Sequence, residues 1–141
     1  MKNTFSKKAD VRKILISVLG VDVLEIQNVA GNLYLQVKSD SVLRCLTILA
    51  THSETMFVSL MDCFAVDSIK RKNECEIYYQ LHSYKLNKTI FVITNVYKNA
   101  EMQSMVPLFP NANWHECEIY EMNGITFKNH PGLQKILNIN G

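Results

Sequence analysis

The sequence predicts an α+β domain with a largely antiparallel sheet and packed helices. Three observations carry that expectation. Two stretches repeat apolar residues at helical spacing, others alternate apolar and polar residues or gather β-branched ones, and the strand-to-strand links VAGN and SYKLN are too short for a parallel crossover. A chain of 141 residues is long enough for one core, since domains near this length bury roughly 68–70% of their unfolded surface. We therefore expect a single domain, 1–141, with a helical C-terminal region.

The elements follow in chain order. Asp10 is placed to cap a helix on which Val11, Ile14, Leu15, Val18 and Leu19 share one face, and Gly20 is placed to end it. VLEIQ and LYLQVK flank the turn signal VAGN; Leu33, Leu35 and Val37 alternate with Tyr34, Gln36 and Lys38, so a hairpin is expected. Ser39 or Asp40 is suited to cap a second helix with a Val42, Cys45, Leu46, Leu49 stripe, after which TMFVSLM is expected to return as a strand. ECEIYYQLH sets Cys75, Ile77, Tyr79 and Leu81 on one face, and KTIFVITNV, rich in β-branched residues, is its antiparallel partner across SYKLN.

Composition excludes several classes of function. Apolar residues make up 48% and charged residues 20%, and no apolar run reaches the roughly 18 residues that span a bilayer. The net charge of +2 is too small for the footprint of a nucleic-acid binder, and KRK at 70–72 is expected to be a solvated loop. The basic MKNTFSKKADVR leads into amphipathic KILISVLG without a small-residue cleavage pattern, so export is not expected. Cys45, Cys63, Cys75 and Cys117 form no C-x-x-C pair, so zinc or iron–sulfur ligation of the usual local kind is not expected.

The polar density lies in NWHECEIYEMNGITFKNHPGLQKIL, 113–137. Pro110 suits the first turn of a helix and Gly124 the position just past its end. At about 100° per residue, Ala112, Ile119, Tyr120 and Met122 share an apolar arc that includes Glu116. A buried Glu116 needs a cation or several donors, because an unpaired ion costs several kcal/mol. Trp114, Cys117 and Glu121 group on another side, the kind of face at which Trp-rich interfaces form.

Glu116, Glu118 and His130 are the candidates for acid–base or metal chemistry, but Glu116 and Glu118 point about 200° apart, and no H-E-x-x-H, P-loop or G-x-G-x-x-G is present. No catalytic, cofactor-binding or metal-ligating residue is expected. Pro131 biases His130 to an extended conformation after the strand-like GITF, marking a fixed bend before LQKIL.

The run PNANWHECEIYEMNGITFKNHPGLQKIL resembles the signature of the C, or 30-kDa, subunit of proton-pumping NADH:quinone oxidoreductase, respiratory complex I. Pro110, Ala112, Trp114, Glu116, Glu118, Ile119, Tyr120, Met122, Gly124, Ile125, Phe127, His130, Pro131, Leu133, Ile136 and Leu137 match its pattern. Upstream, Asp62, Ala65, Val66 and Asp67 of SLMDCFAVD align with the family's strand ending in Ala-Val-Asp, and EIYYQL fits as well. The likeness spans about residues 10–137 and is strongest from 104 onward. Cys117 stands where the family has Arg, Glu121 where it usually has Asp, Asn123 where it has a bulky apolar residue, and the sequence reaches Gly141 without the tail that carries a second His-Pro. A thiol cannot replace a bidentate guanidinium, so a divergent or shortened member, or an adjusted partner surface, is expected.

The resemblance implies a non-catalytic structural subunit of the peripheral arm, on the cytoplasmic or matrix side of the membrane. It implies contact with the peripheral-arm subunits D, B and I, of which D forms the quinone site and B and I hold iron–sulfur clusters. FMN and the clusters are then held by partner subunits, and none in this chain. Trp114, Glu116, Cys117, Glu118, Tyr120, Glu121, His130 and Pro131 become candidate interface or interface-supporting residues, and Glu116→Ala is expected to impair assembly more than folding. The alternatives are the equivalent subunit of a membrane-bound hydrogenase or related oxidoreductase, a stand-alone interaction domain, and a small hydrolase using Glu116 and His130.

Overall fold

The computed structural model describes the backbone of residues 2–20 and 23–130 and the side chains of 11–20 and 23–130. Helix α1 (Lys2–Leu19) begins well before Asp10, so Asp10 is an interior residue and not the predicted cap. Residues 2–9 contain neither Gly nor Pro, and nothing there stops the helix from extending. Val11, Leu15 and Leu19 are buried as predicted, and Gly20 closes the helix at φ +58°.

Strands β1 (Val23–Val29) and β2 (Asn32–Val37) form the expected hairpin. Its turn, Ala30 and Gly31, has positive φ at both residues (53° and 86°), as a two-residue turn matched to strand twist requires. The second helix is preceded by a 3-10 turn at Ser39–Ser41, so neither Ser39 nor Asp40 caps it. Its N-cap position is Ser41, whose side chain makes no capping bond. Helix α2 (Val42–Thr51) buries the predicted stripe of Val42, Cys45, Leu46 and Leu49. Within TMFVSLM the strand begins only at Ser59: Met56 has φ +48°, and Phe57 turns back to bond the Leu49 carbonyl at 2.8 Å. Strand β3 (Ser59–Asp67) is followed by β4 (Glu74–Ser83) and β5 (Lys88–Tyr97).

The five strands order as β1-β2-β5-β4-β3. Three pairings are antiparallel; β2 and β5 are parallel, with Leu33 opposite Ile90. This gives a single α+β core, in which the alternating residues Leu35, Ile77, Tyr79, Leu81, Ile90 and Val92 meet the apolar faces of α1 and α2. On the outward-facing positions of the same strands, Tyr34 stacks on Phe91 and Phe64 on Tyr78, with ring centroids 4.8 and 5.0 Å apart. Such cross-strand aromatic pairs stabilise a sheet by roughly 0.2–1 kcal/mol each.

The remaining elements hold the polar stretch. Strand β6 (Glu101–Gln103) pairs in parallel with β7 (Thr126–Lys128), and the helix α3 (Ala112–Asn123) lies between them in sequence. Pro110 sits one residue before the N-cap, Asn111, and not inside the first turn. Gly124 terminates the helix at φ +72°, its N–H donating to the Tyr120 carbonyl. The helix packs on β3 and buries Ala112, Glu116 and Ile119. Met122, predicted on the same arc, is 82% exposed: it lies about 60° beyond Ile119 around the helix and clears the strand.

Candidate functional site

Helix α3 presents two unlike faces. Toward solvent, Trp114 is 69% exposed and Glu118, Glu121 and Met122 lie beside it within an arc of about 100°. Burying a Trp and a Met side chain stabilises by about 1.5–3 kcal/mol each where a partner allows it. Here both remain in water. Cys117, about 40° past Glu121 around the helix, and Tyr120, about 60° further on, are half-buried.

Toward the core, Glu116 is fully enclosed. Its requirement for donors is met inside the chain: Ser104 Oγ donates to Oε1 at 2.6 Å and the Met105 N–H donates to Oε2 at 2.7 Å. Ser104 Oγ in turn accepts the Val106 N–H at 3.1 Å, and the Ser104 N–H donates to the Lys128 carbonyl at 3.1 Å. One carboxylate thus binds the loop 104–106 to the helix, while the same loop is tied to β7. Burial raises the Glu116 carboxyl above its ordinary pKa; the Met105 N–H, the Ser104 hydroxyl and His130 oppose the rise. Beneath the helix, the cross-strand pair Cys63 and Tyr79 are pushed well up, mainly by burial, with the Glu116 charge adding to each.

His130 is also fully buried. Its Nε2 stands 3.2 Å from the Asn113 carbonyl, 3.8 Å from Glu116 Oε1 and 3.9 Å from Cys117 Sγ. A carbonyl oxygen only accepts, so Nε2 carries the proton in that bond. His130 therefore clasps the first turn of α3 from the chain that follows β7. Two outer contacts complete the seating of the helix: Asn111 Nδ2 donates to the Leu60 carbonyl at 2.8 Å, and His115 Nδ1 lies 3.7 Å from Asp62 Oδ1.

The structure therefore sorts the predicted residues into two groups. Trp114, Glu118 and Glu121 share the exposed face, whereas Glu116, Cys117 and His130 meet behind it; Pro131, like Leu133, Ile136 and Leu137, lies outside the described residues. The side chains of Glu116 and His130 have no exposed surface, so solvent does not reach the pair the hydrolase alternative would use. Among the described residues, no three His, Cys, Asp or Glu side chains are arranged to hold a metal. The sequence reading missed Ser104 and Met105 as the partners of Glu116. Its available signal was the acid on an apolar arc, which demands donors without naming them.

Comparison with known proteins adds a family to this geometry. Residues 35–141 match the family described as respiratory-chain NADH dehydrogenase, 30 Kd subunit. The chain is 38% identical over 107 residues to NADH-ubiquinone oxidoreductase subunit 9 of Reclinomonas americana, covering 76% of this chain and 52% of that protein. It is 38% identical over 117 residues to the C subunit of the NADH-quinone oxidoreductase of Brucella abortus (strain 2308), covering 82% of this chain and 58% of that one. The chain thus spans just over half the length of these relatives. In fold it is similar to a trypsin-resistant fragment of Nqo5, with a TM-score of 0.66 at 20% identity over 86% of this chain and 97% of that fragment. It is also similar to a chain of the membrane-bound sulfane sulfur reductase, an archaeal respiratory membrane complex, with a TM-score of 0.75 at 22% identity over 88% of this chain and 72% of the other.

Proposed function

The chain belongs to the 30 kDa subunit family of the respiratory-chain NADH dehydrogenase, and on that premise we propose that it is a non-catalytic structural subunit of the peripheral arm of NADH:quinone oxidoreductase, respiratory complex I. In this role it holds neighbouring subunits in register while FMN and iron–sulfur clusters in those partners pass electrons from NADH to quinone, coupled to proton translocation. Its contacts are the peripheral-arm subunits D, B and I, the first at the quinone site and the other two carrying iron–sulfur clusters, on the cytoplasmic or matrix side of the membrane. No described helix is long and apolar enough to cross a bilayer, which fits attachment through other subunits.

The observation that carries this reading is the division of α3. An exposed Trp114 and Met122 sit on a helix whose inner face is secured by the buried Glu116 clasp. A large aromatic held on a rigid support is what a docking hot spot requires, because little ordering entropy remains to be lost on binding. Glu118 and Glu121 supply a charged rim that selects for cations on the partner.

A second reading keeps the fold and changes the machine, to a membrane-bound hydrogenase or related oxidoreductase. The TM-score of 0.75 to a chain of the sulfane sulfur reductase motivates it. Tagging the chain in its own cell, solubilising the membranes gently and staining a native gel for NADH dehydrogenase activity separates the two. Co-migration with the NADH-oxidising band supports the complex I role. Migration with a different oxidoreductase selects the second reading, and a free small protein refutes both.

A further inference from the structure

We propose that the cleft between α1 and the β1–β2 hairpin binds a phosphate-bearing amphiphile, with Arg12, Lys13 and Lys88 holding the phosphate beside the exposed apolar side chain of Ile16. The cleft has a volume of about 740 Å³, inside the range of roughly 300–1,000 Å³ common to small-molecule sites. Its cations come from two elements: Arg12 and Lys13 from α1, and Lys88 from the start of β5. Lys88 Nζ lies 3.4 Å from the Gly31 carbonyl, which keeps the ammonium over the hairpin turn.

The charge lining the cleft is of one sign, although Lys13 also borders a neighbouring hollow with Glu54. No Asp or Glu is among the described residues lining it, and none of the three cations forms an ion pair with a described residue. Three like charges around one hollow repel one another and favour an anion between them. A phosphate monoester carries about −1.5 to −2 at pH 7 and accepts a bidentate guanidinium pair, so it answers three cations better than one carboxylate does. Ile16 is 51% exposed beside the buried Leu33. An apolar group attached to the phosphate covers that surface, which inorganic phosphate leaves in water.

The same phosphate monoester is offered by a soluble phosphate ester and by the headgroup of phosphatidic acid. The inference stands apart from the role in complex I and is tested on the purified full chain. Calorimetric titration with octyl phosphate below its micelle-forming concentration is expected to show one saturable site, tighter than that for inorganic phosphate. Arg12→Gln, Lys13→Gln and Lys88→Gln are each expected to weaken it by about twofold to fivefold, while Lys72→Gln in the β3–β4 loop leaves it unchanged. Flotation with phosphatidylcholine vesicles, with and without phosphatidic acid, identifies the source. Flotation that depends on phosphatidic acid and that the same three variants weaken assigns the lipid, and octyl phosphate binding without such flotation assigns a soluble ester. Absence of both, or a loss of binding in Lys72→Gln equal to that in Lys88→Gln, overturns the proposal.

Discussion

The two faces of α3 are separated by half a helical turn and are built on opposite principles. The inner face encloses a carboxylate and satisfies both its oxygens from one loop, whereas the outer face leaves Trp114 and Met122 in solvent. The contrast teaches that a family signature of consecutive residues need not form one site. Its even spacing along the chain hides residues that hold the fold and residues that are free to meet a partner.

Substitutions that act on one face alone sharpen that division. The largest effect is expected from Glu116→Ala, which leaves the Ser104 hydroxyl and the Met105 N–H buried without an acceptor. Chemical denaturation should show a loss of about 3 kcal/mol or more. The enclosed position of Glu116 thus shifts the sequence-based expectation from assembly to folding. Next comes Ile119→Ala, which removes an almost fully buried side chain and should cost about 2–5 kcal/mol in the same assay.

Glu116→Gln keeps the shape and removes the charge, and it is expected to cost less than Glu116→Ala. Its pH dependence carries the information. Burial raises the folded pKa of Glu116 above its unfolded value. The stability it contributes is therefore fully present below the unfolded pKa and declines as pH rises through the folded pKa. Subtracting the variant's stability from that of the wild type cancels the other titrating groups. The difference should increase as pH falls from neutral toward about 4. A difference that shrinks on acidification would mean that the donors and His130 stabilise the carboxylate by more than burial penalises it. The smallest effect belongs to Met122→Ala, which should leave the denaturation midpoint within about 0.5 kcal/mol of wild type.

The same contrast marks how far the sequence could be read. Alternation identified β2 and β4 and their buried faces, because Leu35, Ile77 and Tyr79 leave no second choice of face, and β-branched content identified β5. The helical period identified the stripes of α1 and α2. What escaped was set by distant partners. Strand β6 is too short to show a period; it pairs with β7, which the strand-like GITF had marked, because Met102 and Phe127 are buried side by side. The parallel pairing of β2 with β5 depends on two strands far apart in the chain. The start of α1, the missing caps of α2 and the outward turn of Met122 were likewise beyond local spacing.

At the candidate site, spacing revealed that Glu116 needed donors and that Glu116 and Glu118 diverge. It could not supply Ser104, Met105 and the Asn113 carbonyl, which arrive through loop and strand placement. It also gave no sign of the cation-lined cleft, since Arg12 and Lys13 are separated from Lys88 by most of the sheet in sequence. The one basic run that does stand out, at 70–72, is a hairpin loop in which Arg71 is paired with Glu74.

Whether the outer face of α3 docks while the inner face supports it is decided by Trp114→Ala, followed in parallel by the melting temperature of the purified chain and by its retention in the NADH-oxidising band of a native gel. The expected result is a melting temperature close to wild type together with weakened retention, corresponding to about 2 kcal/mol or roughly thirtyfold in affinity. Undiminished retention, or a fall in melting temperature as large as that of Glu116→Ala, would contradict it.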